Sequence, residues 1–129
     1  MTLNRAAALA AHGAIGWALC GATIGIGRAV TSLDTALWIH LAAAPAFFAV
    51  LTWRYYRQGG ATAPLGTALA FTAIVAALDG GIVAPLIERS FAMFSSVVGT
   101  WLPFALIFLA TWGTGRLAAT PRSPGSPGS

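Results

Sequence analysis

Two ionisable side chains, Asp79 and His40, lie in stretches that are otherwise apolar enough to cross a lipid bilayer. Such residues are costly inside a membrane, and they usually face a bundle interior or a water-filled path, where they bind protons or ions. His40 lies about six residues inward from Asp34, and Asp79 about nine inward from Glu88. At the helical rise, both lie roughly 9 to 14 Å below the same membrane boundary. The sequence therefore predicts one polar site shared by Asp79 and His40.

Prolines are predicted to add unpaired backbone groups at a similar depth. They are Pro45, Pro85 and Pro103. A proline inside a helix leaves the carbonyl four residues earlier without its hydrogen bond. The carbonyls concerned are those of Leu41, Gly81 and Gly99. Lipid offers them no partner, so these residues are predicted to complete a small chamber for a proton, a cation or a substrate.

The composition is that of a membrane protein. Of 129 residues, 57% are hydrophobic and 8% are charged, against roughly 25% charged residues in soluble domains. The seven basic residues are all Arg and lie singly at the ends of apolar segments. They predict membrane topology and no nucleic-acid partner. The single cysteine, Cys20, excludes an internal disulfide and a Cys-based metal cage, so no metal site is predicted.

The two histidines, His12 and His40, could serve as axial haem ligands only if both flank one iron. His12 lies in the opposite half of the predicted bundle from His40. At helical rise, the two residues are separated along the membrane normal by on the order of 14 Å. A haem held within one chain is therefore not predicted, although two chains sharing one is an open alternative. His12 is expected to bond backbone or interfacial water, and the sequence indicates no cofactor.

Four apolar segments are each long enough to span a bilayer as a helix. They cover residues 6–27, 35–53, 65–87 and 91–112. Short polar breaks separate them, so consecutive helices must run antiparallel. The predicted fold is all-α: a polytopic membrane protein with a four-transmembrane-helix up-and-down bundle over residues 1–119. Residues 120–129 are rich in Pro, Gly and Ser and are predicted to be a disordered tail.

The arginines predict orientation, since cytoplasmic flanks retain Lys and Arg. One end of the predicted bundle carries Arg5, Arg54, Arg57, Arg116 and Arg122. The other end carries Arg28 and Arg89 together with Asp34 and Glu88. We expect a multi-pass protein of the inner cell membrane of a bacterium with both termini cytoplasmic. An aromatic belt at the cytoplasmic interface is expected from Trp53, Tyr55, Tyr56 and Trp112.

Small residues spaced four apart predict where helices approach closely in lipid. On the first helix these are Ala14, Ala18, Gly21 and Gly25, and on the third they are Ala73 and Ala77. The first and third helices are therefore expected to form the tight centre of the bundle. The fourth helix carries bulky residues around much of its circumference and is expected to face lipid.

Two functions from different classes fit these features. The first is a small carrier or channel, proton- or cation-linked, in which Asp79 binds and releases the ion and His40 tunes the pKa of Asp79. The small size favours a homodimer. The chain is similar in size and helix count to the small multidrug-resistance transporters, but residues 6–27 lack the glutamate that those proteins carry in their first helix. The likeness is one of architecture and does not establish membership.

The second function is an accessory or anchor subunit of a larger membrane complex. In that case Asp79 and His40 form a structural clasp that fixes helix register, and the prolines only bend the helices. A membrane enzyme ranks third, because the sequence offers no nucleophile-base set, phosphate loop or acidic metal cluster.

Overall fold

The structure is a computed structural model that describes residues 3–60 and 62–118. Within these residues, four helical spans are long and apolar enough to cross a membrane. They are Ala6–Val30, Leu33–Arg57, Pro64–Ile87 and Val97–Ala118. The described part contains no strand, and the predicted all-α, four-helix architecture is confirmed. The predicted tail, residues 120–129, lies outside the described residues.

The first two helices are α1, Leu3–Val30, and α2, Leu33–Arg57. Ser32 caps α2, because its Oγ accepts the Thr35 N–H at 3.1 Å and so satisfies a free donor of the first turn. The helix ends at Arg57, and Gly59, two residues later, has a φ of 91° that suits glycine. Residues 54–57, predicted to begin the loop, are therefore the last turn of α2.

The third span begins as α3, Pro64–Leu78, and continues as a π-helix, Asp79–Ile87. The Glu88 N–H donates to the carbonyl of Val83, five residues earlier, at 2.7 Å. In this pairing an N–H at position 85 would donate to the carbonyl of Gly80. Because Pro85 has no N–H, the carbonyl left without that bond is the one of Gly80 rather than that of Gly81. The third span therefore continues past Asp79 as a widened helix.

The fourth span begins six residues later than predicted, at Val97, and ends six residues later, at Ala118. It consists of a second π-helix, Val97–Trp101, followed by α4, Leu102–Ala118. A short 3-10 turn, Ala92–Ser95, precedes it. Ser96 caps the second π-helix by accepting the Gly99 N–H at 2.9 Å.

Each helix packs against two others: α1 contacts α2 and α3, and α4 contacts the same two helices. The first and third helices are neighbours, but their contact is the least extensive of the four. They do not form the predicted tight centre, and different residues bring α1 close to α2 and α3. A Cβ at Gly13 would lie 2.8 Å from Ile74 Cδ1, and one at Gly16 would enter the Phe48 ring. The residues predicted for this role lie elsewhere: Ala14 is half-buried, while Ala18, Gly21, Gly25, Ala73 and Ala77 are exposed.

The aromatic residues near the end of α2 divide between surface and core. Trp53 is 48% exposed, whereas Tyr55 is 2% exposed and packs edge-on against Phe71 with centroids 6.1 Å apart. The Tyr55 and Thr62 hydroxyls share a hydrogen bond of 2.5 Å. Tyr55 therefore ties the loop to the bundle interior, and its expected place in an interfacial belt is wrong.

Candidate functional site

A cavity of about 790 Å³ lies among the four spans, in the half of the bundle that contains Arg28 and Glu88, here called the outer half. Of the predicted site residues, Asp79, His40 and Gly99 line it. Leu41 is half-buried outside its wall, and Gly81 is exposed, with nothing within 4 Å of a Cβ placed there. The wall is mostly apolar, so the few polar groups dominate its chemistry.

Asp79 begins the first π-helix and is held from across the bundle. Trp17 of α1 donates its indole N–H to Asp79 Oδ1 at 3.0 Å. In the described part of the chain no cationic side chain lies within ion-pair distance of this carboxyl. The direct clasp predicted between Asp79 and His40 is therefore not the contact that forms, and Trp17 takes that place.

His40 faces the same cavity from α2. It lies in a row of buried residues spaced four apart, Ala36, His40, Ala44 and Phe48, so the helical repeat turns its ring inward. The side chain is 5% exposed, and its Nδ1 is buried without a partner among the described residues. The two predicted residues thus face a common space, while neither bonds the other.

An ion pair lies at the outer end of the cavity. Arg28, near the end of α1, donates from Nη1 to Glu88 Oε1 at 2.8 Å. Both residues line the cavity, and their side chains are 43% and 36% exposed. The pair is accessible to solvent, so its contribution to stability is about 0–1 kcal/mol. Its position matters more, because it joins α1 to the far end of the third span.

A layer of buried apolar side chains lies inward of the cavity and shares a cluster with the lining residues Val75 and Ile107. Phe48 and Phe71 are fully buried, with ring centroids 5.8 Å apart, and Ile107 is 1% exposed. Gly16 admits the Phe48 ring against α1. The cavity is consequently separated from the inner half of the bundle.

A second, smaller pocket of about 240 Å³ lies beyond that layer and is lined by His12 and Tyr55. The His12 Nδ1–H donates to the Ala8 carbonyl at 2.7 Å, so its expected backbone bond is confirmed. Its ring packs edge-on against Tyr55 with centroids 5.6 Å apart. His12 and His40 therefore belong to different cavities.

No protein family, curated protein or solved structure matches this chain. Within residues 3–60 and 62–118, no group of three His, Cys, Asp or Glu side chains is placed to hold a metal ion. The groups that line the cavity determine what it can bind. Its carboxyl can hold a proton or pair with a cation, its imidazole can donate or accept a hydrogen bond, and its walls can accept an apolar body.

Sequence reasoning missed Trp17 and the pair formed by Arg28 and Glu88. Trp17 lies three residues before Cys20, which lines the same cavity, so its position on α1 was available from the helical repeat. The direction of its indole N–H was not. Arg28 and Glu88 were assigned to the same end of the bundle, but the sequence alone does not pair them.

Proposed function

We propose that this membrane protein is a small proton-linked carrier whose binding site is the cavity lined by Asp79 and His40. One observation carries the proposal: the Asp79 carboxyl faces a mostly apolar cavity with no cationic partner in the described chain. An ionised carboxylate inside a membrane is costly without a partner. Asp79 therefore gains most from holding a proton or from meeting a cation brought in from outside, and it can exchange one for the other.

The size of the cavity favours a carried molecule over a simple ion site. About 790 Å³ lies in the range of 300–1,000 Å³ usual for small-molecule sites. The inner apolar layer separates this space from the opposite half of the bundle, so transport requires movement of the helices. The two π-helices, which carry Asp79 and Gly99, are the proposed moving parts, because widened turns often mark functional sites in helices.

We further propose an inner-membrane protein of a bacterium with both termini cytoplasmic. The arginines support this orientation. At the outer end Arg28 is paired with Glu88 and Arg89 makes no ion pair, whereas at the other end three arginines, Arg54, Arg57 and Arg116, make no ion pair with an acid in the described part. Their unpaired positive charge is typical of a cytoplasmic face. The small size of the chain favours a homodimer.

Proton flux into liposomes tests the carrier function. The purified chain is reconstituted with a pH-sensitive dye inside, and a proton gradient is imposed with potassium as the compensating cation. We expect the wild type to dissipate the gradient and Asp79→Asn to reduce the protein-dependent rate at least tenfold. Asp34→Asn is the matched control, because Asp34 is exposed at the start of α2 and lies outside the cavity.

Two results would contradict the proposal. If wild-type liposomes are as tight as empty ones, the chain is not a proton-linked carrier, and an accessory or anchor subunit of a larger membrane complex becomes the better interpretation. If Asp79→Asn and Asp34→Asn both retain the wild-type rate, protons do not pass through this site.

A further inference from the structure

The outer-half cavity lies between α1 and the first π-helix, both of which line it. Helix α1 packs against α3, but it does not pack closely along the π-helix that follows. Among the described residues, two side-chain hydrogen bonds connect them: Trp17 to Asp79, and Arg28 to Glu88. At 1.5 Å per residue, the stretch of α1 from Trp17 to Arg28 is roughly 16 Å long. We call the space between these two bonds the lateral gap.

Glycines leave the lateral gap open. Gly21 and Gly25 line the cavity from α1 and are exposed. A Cβ built on either would meet no atom within 4 Å. Neither residue therefore supplies a side chain to cover the space between the two helices, and the cavity is accessible through the side of the bundle.

The surroundings of the lateral gap are apolar. Cavity-lining residues of the gap have exposed apolar neighbours in sequence: Ala22 and Ile26 on α1, and Ile82 and Leu86 on the first π-helix. All four lie inside the spans that are apolar enough to cross a membrane. The gap therefore faces the hydrocarbon of the bilayer, and a molecule that enters through it must be soluble in lipid.

The interior selects for positive charge. Trp17 occupies Asp79 Oδ1, while Oδ2 has no hydrogen-bond partner among the described residues. The other titratable or charged groups facing the cavity are Cys20 and Arg28 from α1, His40 from α2 and Glu88 after the first π-helix. Helix α4 contributes none to the described wall. Because Arg28 and Glu88 neutralise each other, the Asp79 carboxylate is the anionic group left to meet a ligand.

We propose that the cavity binds a lipid-soluble organic cation, which enters from the membrane through the lateral gap and pairs with Asp79. The Trp17 ring and the apolar wall would hold the body of the ligand, since aromatic faces attract cations. This inference rests on the proposed function and names its substrate class. Cation and proton compete for one carboxyl, so a cation that binds to protonated Asp79 releases that proton.

Binding of tritiated tetraphenylphosphonium tests the inference directly. This probe has a permanent positive charge and an apolar body, and it donates no hydrogen bond. It is titrated into nanodiscs of zwitterionic lipid with or without the protein. We expect Asp79→Asn to weaken binding at least tenfold, and Asp79→Glu, which keeps the carboxyl, to bind within a few-fold of wild type. Acidification from pH 8 to pH 5.5 should weaken binding to the wild type and leave Asp79→Asn unaffected.

Entry through the lateral gap is tested by the rate of association. Gly21→Leu places a bulky side chain in the gap without meeting another atom at its Cβ, and it should slow association at least fivefold. Gly113→Leu is the matched control, because Gly113 is an exposed glycine of α4 whose Cβ also meets nothing within 4 Å. It lies outside the cavity wall and should leave the rate unchanged.

The outcomes separate this inference from the carrier function. Probe binding that is absent from folded wild-type protein, or equal in Asp79→Asn and wild type, overturns the inference, even if Asp79-dependent proton flux persists. Asp79-dependent binding without proton flux, in liposomes that also contain the probe, sustains the inference and removes the carrier function. Equal association rates for Gly21→Leu and Gly113→Leu overturn entry through the gap.

Discussion

Alanine at two glycines of α1, Gly16 and Gly21, should change stability in opposite directions. Both residues lie in the interior of one helix, so replacement by alanine gives each a similar backbone gain of about 0.4–1 kcal/mol. At Gly21 nothing opposes this gain, because a Cβ there meets no atom within 4 Å. Gly21→Ala should therefore raise the free energy of unfolding.

At Gly16 the added methyl group meets a ring that has no room to move. Its Cβ would lie 2.7 and 2.8 Å from Phe48 Cε1 and Cε2, and Phe48 is fully buried. Overpacking of this kind costs about 1–3 kcal/mol. Because the backbone gain is common to both variants, Gly16→Ala should be less stable than Gly21→Ala by that amount, which is about 5- to 150-fold in the unfolding equilibrium.

Reversible unfolding in mixed micelles, followed by far-UV circular dichroism as sodium dodecyl sulfate is added, measures this difference. Gly113→Ala on α4 serves as a second glycine with open space at its Cβ. Equal stability of the Gly16 and Gly21 variants, or a less stable Gly21 variant, would show that α1 packs through the face carrying Gly21 and Gly25. The assignment of the cavity wall would then be wrong.

Two further predictions follow from single contacts, and a third from the distribution of the arginines. Trp17→Phe removes the N–H that donates to the Asp79 carboxyl and should lower the free energy of unfolding by about 1–3 kcal/mol. Trp53→Phe, at an exposed site, should change it by less than about 0.5 kcal/mol. Equal effects of the two variants in a micelle titration would contradict the hydrogen bond. Tyr55→Phe should cost about 0.5–1.5 kcal/mol in the same assay through loss of its hydroxyl bond. A periplasmic phosphatase fused after Arg116 should be inactive, and one inserted after Arg89 active; the reverse pattern would invert the proposed orientation.

The sequence predicted the four spans well because each is a long apolar run bounded by polar residues. It predicted less well where a polar residue continues a buried face. Tyr55 lies between Arg54 and Arg57, a neighbourhood typical of a membrane boundary. Yet it also lies seven residues after buried Phe48, a spacing that returns to the same helix face. Tyr55 also lies four residues after buried Leu51, so the helical repeat would have predicted its buried position.

The packing face of α1 was the part that sequence patterns were least able to resolve. Small residues occupy positions on every side of this helix, so a spacing of four selects several rows at once. Gly13, Gly16 and, near the end of α1, Gly27 admit side chains from other helices, while Gly21 and Gly25 border open space. The difference depends on the partner side chains, Ile74 and Phe48, which a pattern within one helix does not contain.

The site was predicted in position but not in its contacts. Depth counted along two helices placed Asp79 and His40 at one level, and both line one cavity. Helical rise gives the depth of a residue along the bundle axis, but not the distance between two residues on different helices. The predicted direct contact between Asp79 and His40 therefore could not be derived from it. The proline argument also assumed α-helical pairing, whereas the π-helix assigns the missing donor of Pro85 to a different carbonyl.

The first π-helix also sets the direction in which the outer end of the third span points. Pairing each N–H with the carbonyl five residues back accommodates one more residue per turn than α-helical pairing would. One residue corresponds to about 100° of rotation in an α-helix, so conversion of Asp79–Ile87 to α-helix would turn everything after it around the helix axis. Glu88 would then leave Arg28, while Asp79, at the start of the segment, would stay in place. The two bonds that bound the lateral gap are thus mechanically independent: a change of helical pairing can release the outer one and leave the inner one intact.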